Sequence, residues 1–166
     1  MPIIHRTGDI FLQEDVNVLV HQANLYHTFG AGIAAQIARI YPKAYEADKK
    51  TEYGCGNKLG KYSHAKVDEG KRVIVNLYSQ QGVGGSSRNT LYDAMCVGME
   101  KLKKTLVGVP PNGAMGDEYI VGVPYGIGCQ LGGGNWKIVS AILDSIFGDD
   151  KIKLVICRLP NTPDLS

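Results

Sequence analysis

The sequence has few of the features that mark secreted, membrane-bound or metal-dependent proteins. Its four cysteines lie far apart along the chain, at Cys55, Cys96, Cys129 and Cys157. Because they include no CxxC pair, they argue against a disulfide scaffold and a zinc knuckle and favour a reducing compartment. The histidines share no metal-ligand spacing, and no apolar run approaches the length of a membrane span. We therefore expect a cytoplasmic protein with no metal, no cofactor and no membrane partner.

An excess of charge of one sign is also absent. The 18 basic and 16 acidic residues give a formal charge of +2, and the basic residues are scattered rather than clustered. Such a chain lacks the basic patch typical of direct nucleic-acid binding. With 166 residues, 44% of them hydrophobic, it is long enough to bury one globular core. We predict a single domain over residues 1–159 and a C-terminal tail over residues 160–166, and the sequence leaves the oligomeric state open.

Two common catalytic motifs are missing as well. No GxxxxGK[ST] string occurs, which disfavours nucleotide hydrolysis of the P-loop type. No GxSxG string occurs, which argues against the nucleophile elbow of an α/β-hydrolase.

Glycine, by contrast, is abundant. The 21 glycines concentrate in clusters at residues 30–32, 54–60, 82–85, 126–128 and 132–134. Clustered glycines indicate loops that need unusual backbone angles or that approach a ligand closely.

The hydrophobic pattern alternates between strands and helices. Apolar strands are predicted near residues 3–5, 16–21, 61–67, 72–79, 119–123 and 152–157. Helical spacing follows the glycines at 30–32, the proline at 42, a cap at Asn89 or Thr90, and a cap at Asn135. This order predicts an α/β layered domain with a largely parallel or mixed sheet. Ligands bind such sheets at the carboxyl ends of the strands, where the loops after residues 22, 79 and 123 would share one rim.

Residues 16–39 form the strongest local signal. A buried strand is followed by the polar residues His21, Gln22 and Asn24, by glycines at 30 and 32, and by a helix. The first turn of a helix has N–H groups without intrahelical partners, and the helix dipole places partial positive charge there. We therefore predict a phosphorylated, nucleotide-like ligand at this point.

The same glycines admit other interpretations. The string Gly30-Ala31-Gly32-Ile33-Ala34-Ala35 satisfies the GxGxxG/A pattern of dinucleotide-binding folds. That pattern requires a tight turn from strand to helix and an acidic residue after the next strand. Here about eight residues separate the strand from the glycines. The acidic residues at a suitable distance, Glu46 and Asp48, fall in a predicted helix. An NAD-dependent oxidoreductase is thus a remote alternative, and glycines that serve only helix packing are another.

Several short segments, in this order and spacing, resemble one known family. They are Gly8-Asp9-Ile10, His21-Gln22-Ala23-Asn24, Gly30-Ala31-Gly32-Ile33-Ala34, Tyr41-Pro42, Leu59-Gly60-Lys61, Val75-Asn76-Leu77, Pro124-Tyr125-Gly126-Ile127-Gly128-Cys129-Gln130-Leu131 and Trp136. Over nearly its full length the chain resembles a macro domain, the ADP-ribose-binding module. It is most similar to the branch that contains ADP-ribose 1″-phosphate phosphatases and the terminal ADP-ribose glycohydrolase. The resemblance implies a three-layer α/β/α fold with a mixed central sheet.

The resemblance also implies roles for particular residues. Asp9 and the N–H of Ile10 would bind adenine, and Asn24 would bind the distal ribose. The diphosphate would lie between two sets of backbone N–H groups, one at Gly30, Ala31, Gly32 and Ile33 and the other at Gly126, Ile127, Gly128, Cys129 and Gln130.

Catalysis is a separate expectation, for which His21 and Asn24 are the candidates. Glycohydrolases of this branch use a lysine where this chain has Gln80-Gln81, and an acid near its Gly132-Gly133-Gly134. The resemblance therefore implies binding of ADP-ribose or a derivative, with ADP-ribosylated macromolecules as candidate partners. Hydrolysis of ADP-ribose 1″-phosphate or of an ADP-ribosyl adduct is the enzymatic hypothesis, and a non-catalytic ADP-ribose reader is the alternative.

Overall fold

A computed structural model of the chain describes residues 3–82 and 88–166. Its strands are β1 (Ile3–Thr7), β2 (Val18–Ala23), β3 (Tyr62–Val67), β4 (Arg72–Tyr78), β5 (Ile120–Pro124) and β6 (Lys153–Arg158). Its α-helices are α1 (Gly32–Ile40), α2 (Pro42–Lys49), α3 (Tyr92–Gly108) and α4 (Trp136–Phe147). Most of the predicted glycine cluster at residues 82–85 lies outside the described residues. No helix in the two described ranges is long and apolar enough to cross a membrane.

The strands form a single mixed sheet in the order β1-β6-β5-β2-β4-β3. All neighbouring strands are parallel except the edge strand β3, which runs antiparallel to β4. The predicted mixed sheet is confirmed. Since five strands run in the same direction, the chain leaves their carboxyl ends along one edge of the sheet, where ligands bind in folds of this class.

Helices cover both faces of the sheet because side chains alternate along each strand. Along β2, Val18 and Val20 belong to the core on the side of α3 and α4, whereas Leu19 belongs to the core on the side of α1 and α2. Each face is sealed by buried helix residues, such as Met99 of α3 and Ile37 of α1. The result is the predicted three-layer α/β/α arrangement.

The helix boundaries follow the sequence signals with one exception. Pro42 stands in the first turn of α2, and the Asn135 side chain accepts a hydrogen bond from the N–H of Lys137 at 2.9 Å, so both predicted starts are confirmed. The prediction of a cap at Asn89 or Thr90 is wrong, because α3 begins after Leu91, which has no capping side chain.

A buried arginine fastens the loop that connects β1 to β2. Arg72 is 5% exposed, and its guanidinium donates to the carbonyl oxygens of Val16, Phe11 and Gln13 at 2.9, 3.2 and 2.7 Å. A further N–H reaches the Tyr41 hydroxyl at 3.2 Å. This fork of donors holds the backbone that follows Asp9 and Ile10.

Arg72→Lys is expected to lower the free energy of unfolding by about 2–4 kcal/mol, because one ammonium group cannot replace a guanidinium fork and leaves buried carbonyls unpaired. Urea denaturation measures the change. The control is Arg39→Lys at an exposed position near the end of α1, which should leave stability unchanged. Equal effects of the two substitutions would contradict the role given to Arg72.

Candidate ligand-binding site

A cavity of about 460 Å³ lies at the carboxyl ends of the parallel strands. Its walls come from the segments after β1, β2, β4, β5 and β6 and from the start of α1. Of the residues predicted to bind a ligand, all except Cys129 line this cavity, namely Asp9, Ile10, Asn24, Gly30, Ala31, Gly32, Ile33, Gly126, Ile127, Gly128 and Gln130. The fold therefore brings together segments that are far apart in the sequence, and their contact with a ligand stays a prediction.

The first glycine loop (residues 28–34) leads into the N-terminus of α1. The helix is capped by Ala31, which offers no side-chain hydrogen bond, and the first intrahelical bond is donated by the N–H of Ala35. The N–H groups of Gly32, Ile33 and Ala34 consequently have no partner within the helix. Gly32 has a φ of +59°, a conformation that side chains with a Cβ rarely adopt. This end of α1 is suited to bind an anion through backbone donors.

The second glycine loop (residues 124–134) offers fewer backbone donors than the sequence predicted. The N–H of Ile127 donates to the Pro124 carbonyl at 3.0 Å, and the N–H of Cys129 donates to the Gly126 carbonyl at 2.8 Å. Both groups are used within the turn. The predicted set of five amides is reduced to those of Gly126, Gly128 and Gln130, which have no hydrogen-bond partner in the described part of the chain.

Close packing explains several glycines of this loop. A Cβ at Gly132 would lie 2.3 Å from the Thr90 Oγ1 and 2.7 Å from the Gln22 Nε2. A Cβ at Gly134 would lie 2.7 Å from the carbonyl oxygen of Gly128. Since real side chains do not approach so closely, these positions require glycine for the loop to lie against the strand ends.

A chain of polar side chains holds the second glycine loop in place. The Ser79 hydroxyl donates to the Gln22 Oε1 at 2.7 Å, and the Gln22 Nε2 donates to the Thr90 Oγ1 at 2.9 Å. The Thr90 hydroxyl then donates to the Gly128 carbonyl at 2.6 Å. The Gln22 Nε2 also donates to the Gln80 Oε1 at 3.1 Å. None of these four side chains was predicted to have a role at the site, although Gln22 belongs to the motif of residues 21–24.

Asp9 and Ile10 lie at one end of the cavity. One Asp9 carboxylate oxygen accepts a hydrogen bond from the N–H of Phe11 at 2.9 Å and caps the short 3-10 helix Ile10–Leu12. The second carboxylate oxygen has no partner among residues that the structure describes. Cys157 lies beside this end, where its thiol donates to the Gly8 carbonyl at 3.2 Å and burial raises the thiol pKa.

Asn24 lies toward the other end and stabilises its own loop. Its Oδ1 accepts from the N–H groups of Tyr26 at 2.8 Å and Thr28 at 3.5 Å, and its Nδ2 donates to the Thr28 carbonyl at 3.0 Å. The side chain lines the cavity with one amide hydrogen still uncommitted. This arrangement allows a hydrogen bond to a ligand but gives Asn24 no acid–base capacity.

The position of His21 argues against its predicted catalytic role. Its side chain is 0% exposed, is absent from the cavity lining, and lies on the α1/α2 face with its ring 5.2 Å from the Phe29 ring. Its Nε2 is 2.6 Å from the Asn76 Oδ1. The Asn76 amide nitrogen donates to the Ala44 carbonyl, so the Asn76 oxygen faces the histidine and the Nε2 carries the proton. His21 is a core residue.

Burial gives His21 a measurable effect on stability. Desolvation lowers its pKa from 6.5 to about 4, so the folded protein binds this proton more weakly than the unfolded chain does. The stabilisation that depends on neutral His21 is therefore complete above pH 6.5 and is lost as the pH falls toward 4. The free energy of unfolding decreases by roughly 3 kcal/mol in total over this range.

We expect the free energy of unfolding to decrease less steeply between pH 6.5 and 4 in His21→Gln than in the unmodified protein. Denaturant unfolding across this range provides the measurement. His5→Gln at an exposed position is the control and should retain the full pH dependence. A His21→Gln profile parallel to that of the unmodified protein would show that His21 titrates normally.

Residues from the C-terminal segment also contribute to the cavity. Leu159 and Thr162 line it, and the N–H of Leu165 donates to the Tyr125 hydroxyl at 2.8 Å. The Arg158 guanidinium lies over the Tyr125 ring, 4.7 Å from its centre. The segment after β6 thus contacts the second glycine loop directly.

Within residues 3–82 and 88–166, no cluster of three His, Cys, Asp or Glu side chains could hold a metal ion.

Comparison with known proteins places the fold and the family. No model of a known protein family matches the chain. An uncharacterized 17.5 kDa protein in the tk-vs intergenic region of Enterobacteria phage T4 is 33% identical over 159 residues, covering 90% of this chain and 91% of that protein.

Two solved structures have the same fold. The macrodomain of Mycobacterium tuberculosis DarG matches with a TM-score of 0.71 and 24% identity, covering 96% of this chain and 98% of that one. Thermosipho africanus DarTG in complex with ADP-ribose matches with a TM-score of 0.70 and 18% identity, covering 97% of this chain and 43% of that one. The chain therefore has the macrodomain fold and belongs to the same family as the phage T4 protein.

Proposed function

We propose that this protein binds ADP-ribose, free or attached to a carrier, in the cavity at the carboxyl edge of the sheet. The observation that carries the proposal is the pairing of two backbone donor sets in one cavity. One set is the N-terminus of α1, and the other is the second glycine loop. Two donor sets in one cavity suit a ligand with two linked phosphates.

The order of the strands supports an elongated ligand. Asp9 follows β1 at one side of the sheet, the second glycine loop follows β5, the loop to α1 follows β2, and Gln80 follows β4. Neighbouring strands lie about 4.8 Å apart, so the ends of β1, β6, β5, β2 and β4 span roughly 19 Å. We infer that the base lies near Asp9, the diphosphate between the glycine loops, and the distal ribose near Asn24 and Gln80.

The groups at the Asp9 end favour adenine over guanine. The uncommitted carboxylate oxygen of Asp9 can accept a hydrogen bond from the exocyclic amine of adenine, while the N–H of Ile10 donates to a ring nitrogen. Guanine has a carbonyl oxygen where adenine has the amine, and this oxygen would face the carboxylate unfavourably.

The DarTG structure supports the choice of ligand, because that protein has a similar fold and is in complex with ADP-ribose. The cavity of the present chain is less suited to hydrolysis. Asp9 is the one charged side chain among its described lining residues. It lies at the proposed adenine end, far from the distal ribose. Since His21 is outside the cavity, a general acid or base is missing from the described lining near the distal ribose. We therefore infer a non-catalytic ADP-ribose reader.

Calorimetry with ADP-ribose tests the position of the diphosphate through the pair Gly32→Glu and Gly32→Ala. Both substitutions impose the same backbone strain at a φ of +59°, but only glutamate adds a negative charge beside the phosphates. We expect Gly32→Glu to bind more than about a hundredfold more weakly than Gly32→Ala.

Thermal denaturation of the two variants provides the control for folding and should give similar midpoints. Equal affinities of Gly32→Glu and Gly32→Ala would show that the phosphates lie elsewhere. If the unmodified protein failed to bind ADP-ribose at millimolar concentration, the proposed function itself would be wrong.

A further inference from the structure

Three residues with carboxamide side chains line the cavity at the strand ends farthest from Asp9. Gln22 and Asn24 come from the end of β2 and the loop that follows it, and Gln80 follows β4. Strands β6 and β5 separate this group from β1 and Asp9. We call Gln22, Asn24 and Gln80 the amide end of the cavity.

Positive charge is missing from the described lining of the amide end. Lys58 and Arg88 are both engaged with other groups. The Lys58 ammonium donates to the Leu25 carbonyl at 3.3 Å and lies over the Tyr78 ring. The Arg88 guanidinium lies over the Tyr92 ring, 4.4 Å from its centre. Residues 83–87, which are outside the described ranges, have the sequence Val-Gly-Gly-Ser-Ser and contain no charged residue.

The hydrogen-bonding capacity of the amide end is nearly used up. The Gln22 Nε2 gives both of its hydrogens, to Thr90 and to Gln80, while its Oε1 accepts from Ser79. The Gln80 Nε2 donates to the Gly82 carbonyl at 2.6 Å. Each primary amide has two hydrogens and two lone pairs. Gln22 therefore retains one lone pair, Gln80 retains one N–H and one lone pair, and Asn24 retains one N–H.

This residual capacity fits a ribose hydroxyl or a neutral bridging oxygen. A phosphate monoester on the ribose would bring about −1.5 to −2 further charges at pH 7 and three strong acceptor oxygens. The two side-chain N–H groups left among the described residues of the amide end cannot satisfy them, and burying such a charge without a partner is costly. The backbone donors of the glycine loops are already assigned to the diphosphate.

We propose that the amide end favours ADP-ribose whose 1″ position is uncharged over ADP-ribose 1″-phosphate, and that Gln80 sets this preference. The inference rests on the proposed ADP-ribose site and narrows its ligand class. The ligand is free ADP-ribose with a 1″-hydroxyl, or an ADP-ribosyl group joined to a carrier through a neutral bond. ADP-ribose 1″-phosphate is the disfavoured ligand and binds more weakly.

The test compares the affinities of ADP-ribose and ADP-ribose 1″-phosphate by calorimetry in the unmodified protein, in Gln80→Lys and in Gln80→Met. The unmodified protein should bind ADP-ribose at least about tenfold more tightly than the 1″-phosphate. Gln80→Lys introduces a cation and should reduce or reverse this ratio. Gln80→Met keeps an uncharged side chain of similar length and should preserve the ratio seen in the unmodified protein.

The readout is the ratio of the two affinities within each variant, because partial loss of folding would weaken the binding of both ligands by the same factor. Equal binding of both ligands by the unmodified protein, or the same ratio in Gln80→Lys as in Gln80→Met, would overturn the proposal for Gln80 and leave the ADP-ribose site in place. Absence of binding of both ligands would overturn the proposed function and this inference with it.

Discussion

The close contact between the second glycine loop and the ends of β2 and β4 determines the shape of the cavity. Gly132 lies so near Thr90 and Gln22 that no Cβ fits between them, and the Thr90 hydroxyl binds the Gly128 carbonyl. The loop is therefore held by packing and hydrogen bonds before any ligand arrives. Because its position is fixed, the residues with the remaining free amides, Gly126, Gly128 and Gln130, line the same cavity as the start of α1. Donors fixed in this way lose little entropy on binding.

In the proposed site, backbone N–H groups instead of cationic side chains would bind the anion. The chain has a net charge of only +2, and its described cavity lining contains a single charged side chain, Asp9. Backbone donors satisfy a phosphate by geometry and number, so the proposed site would match one diphosphate without attracting polyanions generally. Its selectivity then depends on the side chains at the two ends, a carboxylate at one and three amides at the other.

Local patterns in the sequence were sufficient to predict the main elements and the glycine loops, because strand alternation, helix periodicity and proline placement act over a few residues. They were insufficient for His21, since β2 is buried on both faces and its pattern does not reveal which face holds the histidine. A helix cap was predicted at Asn89 or Thr90, but Thr90 binds Gln22, which is 68 positions away. The Ser79–Gln22 bond spans 57 positions. Contacts of this range depend on strand order, which the local pattern does not contain.

A residue-resolved titration tests binding at the two glycine loops most directly. Amide chemical shifts of the isotope-labelled protein would be recorded by NMR as ADP-ribose is added. Binding between the loops predicts the largest shifts at the amides of Gly32, Ile33, Gly126 and Gly128, with smaller shifts at Ile10 and Gln80. Shifts concentrated on α3 and α4, with these amides unchanged, would contradict a diphosphate site at the carboxyl edge of the sheet.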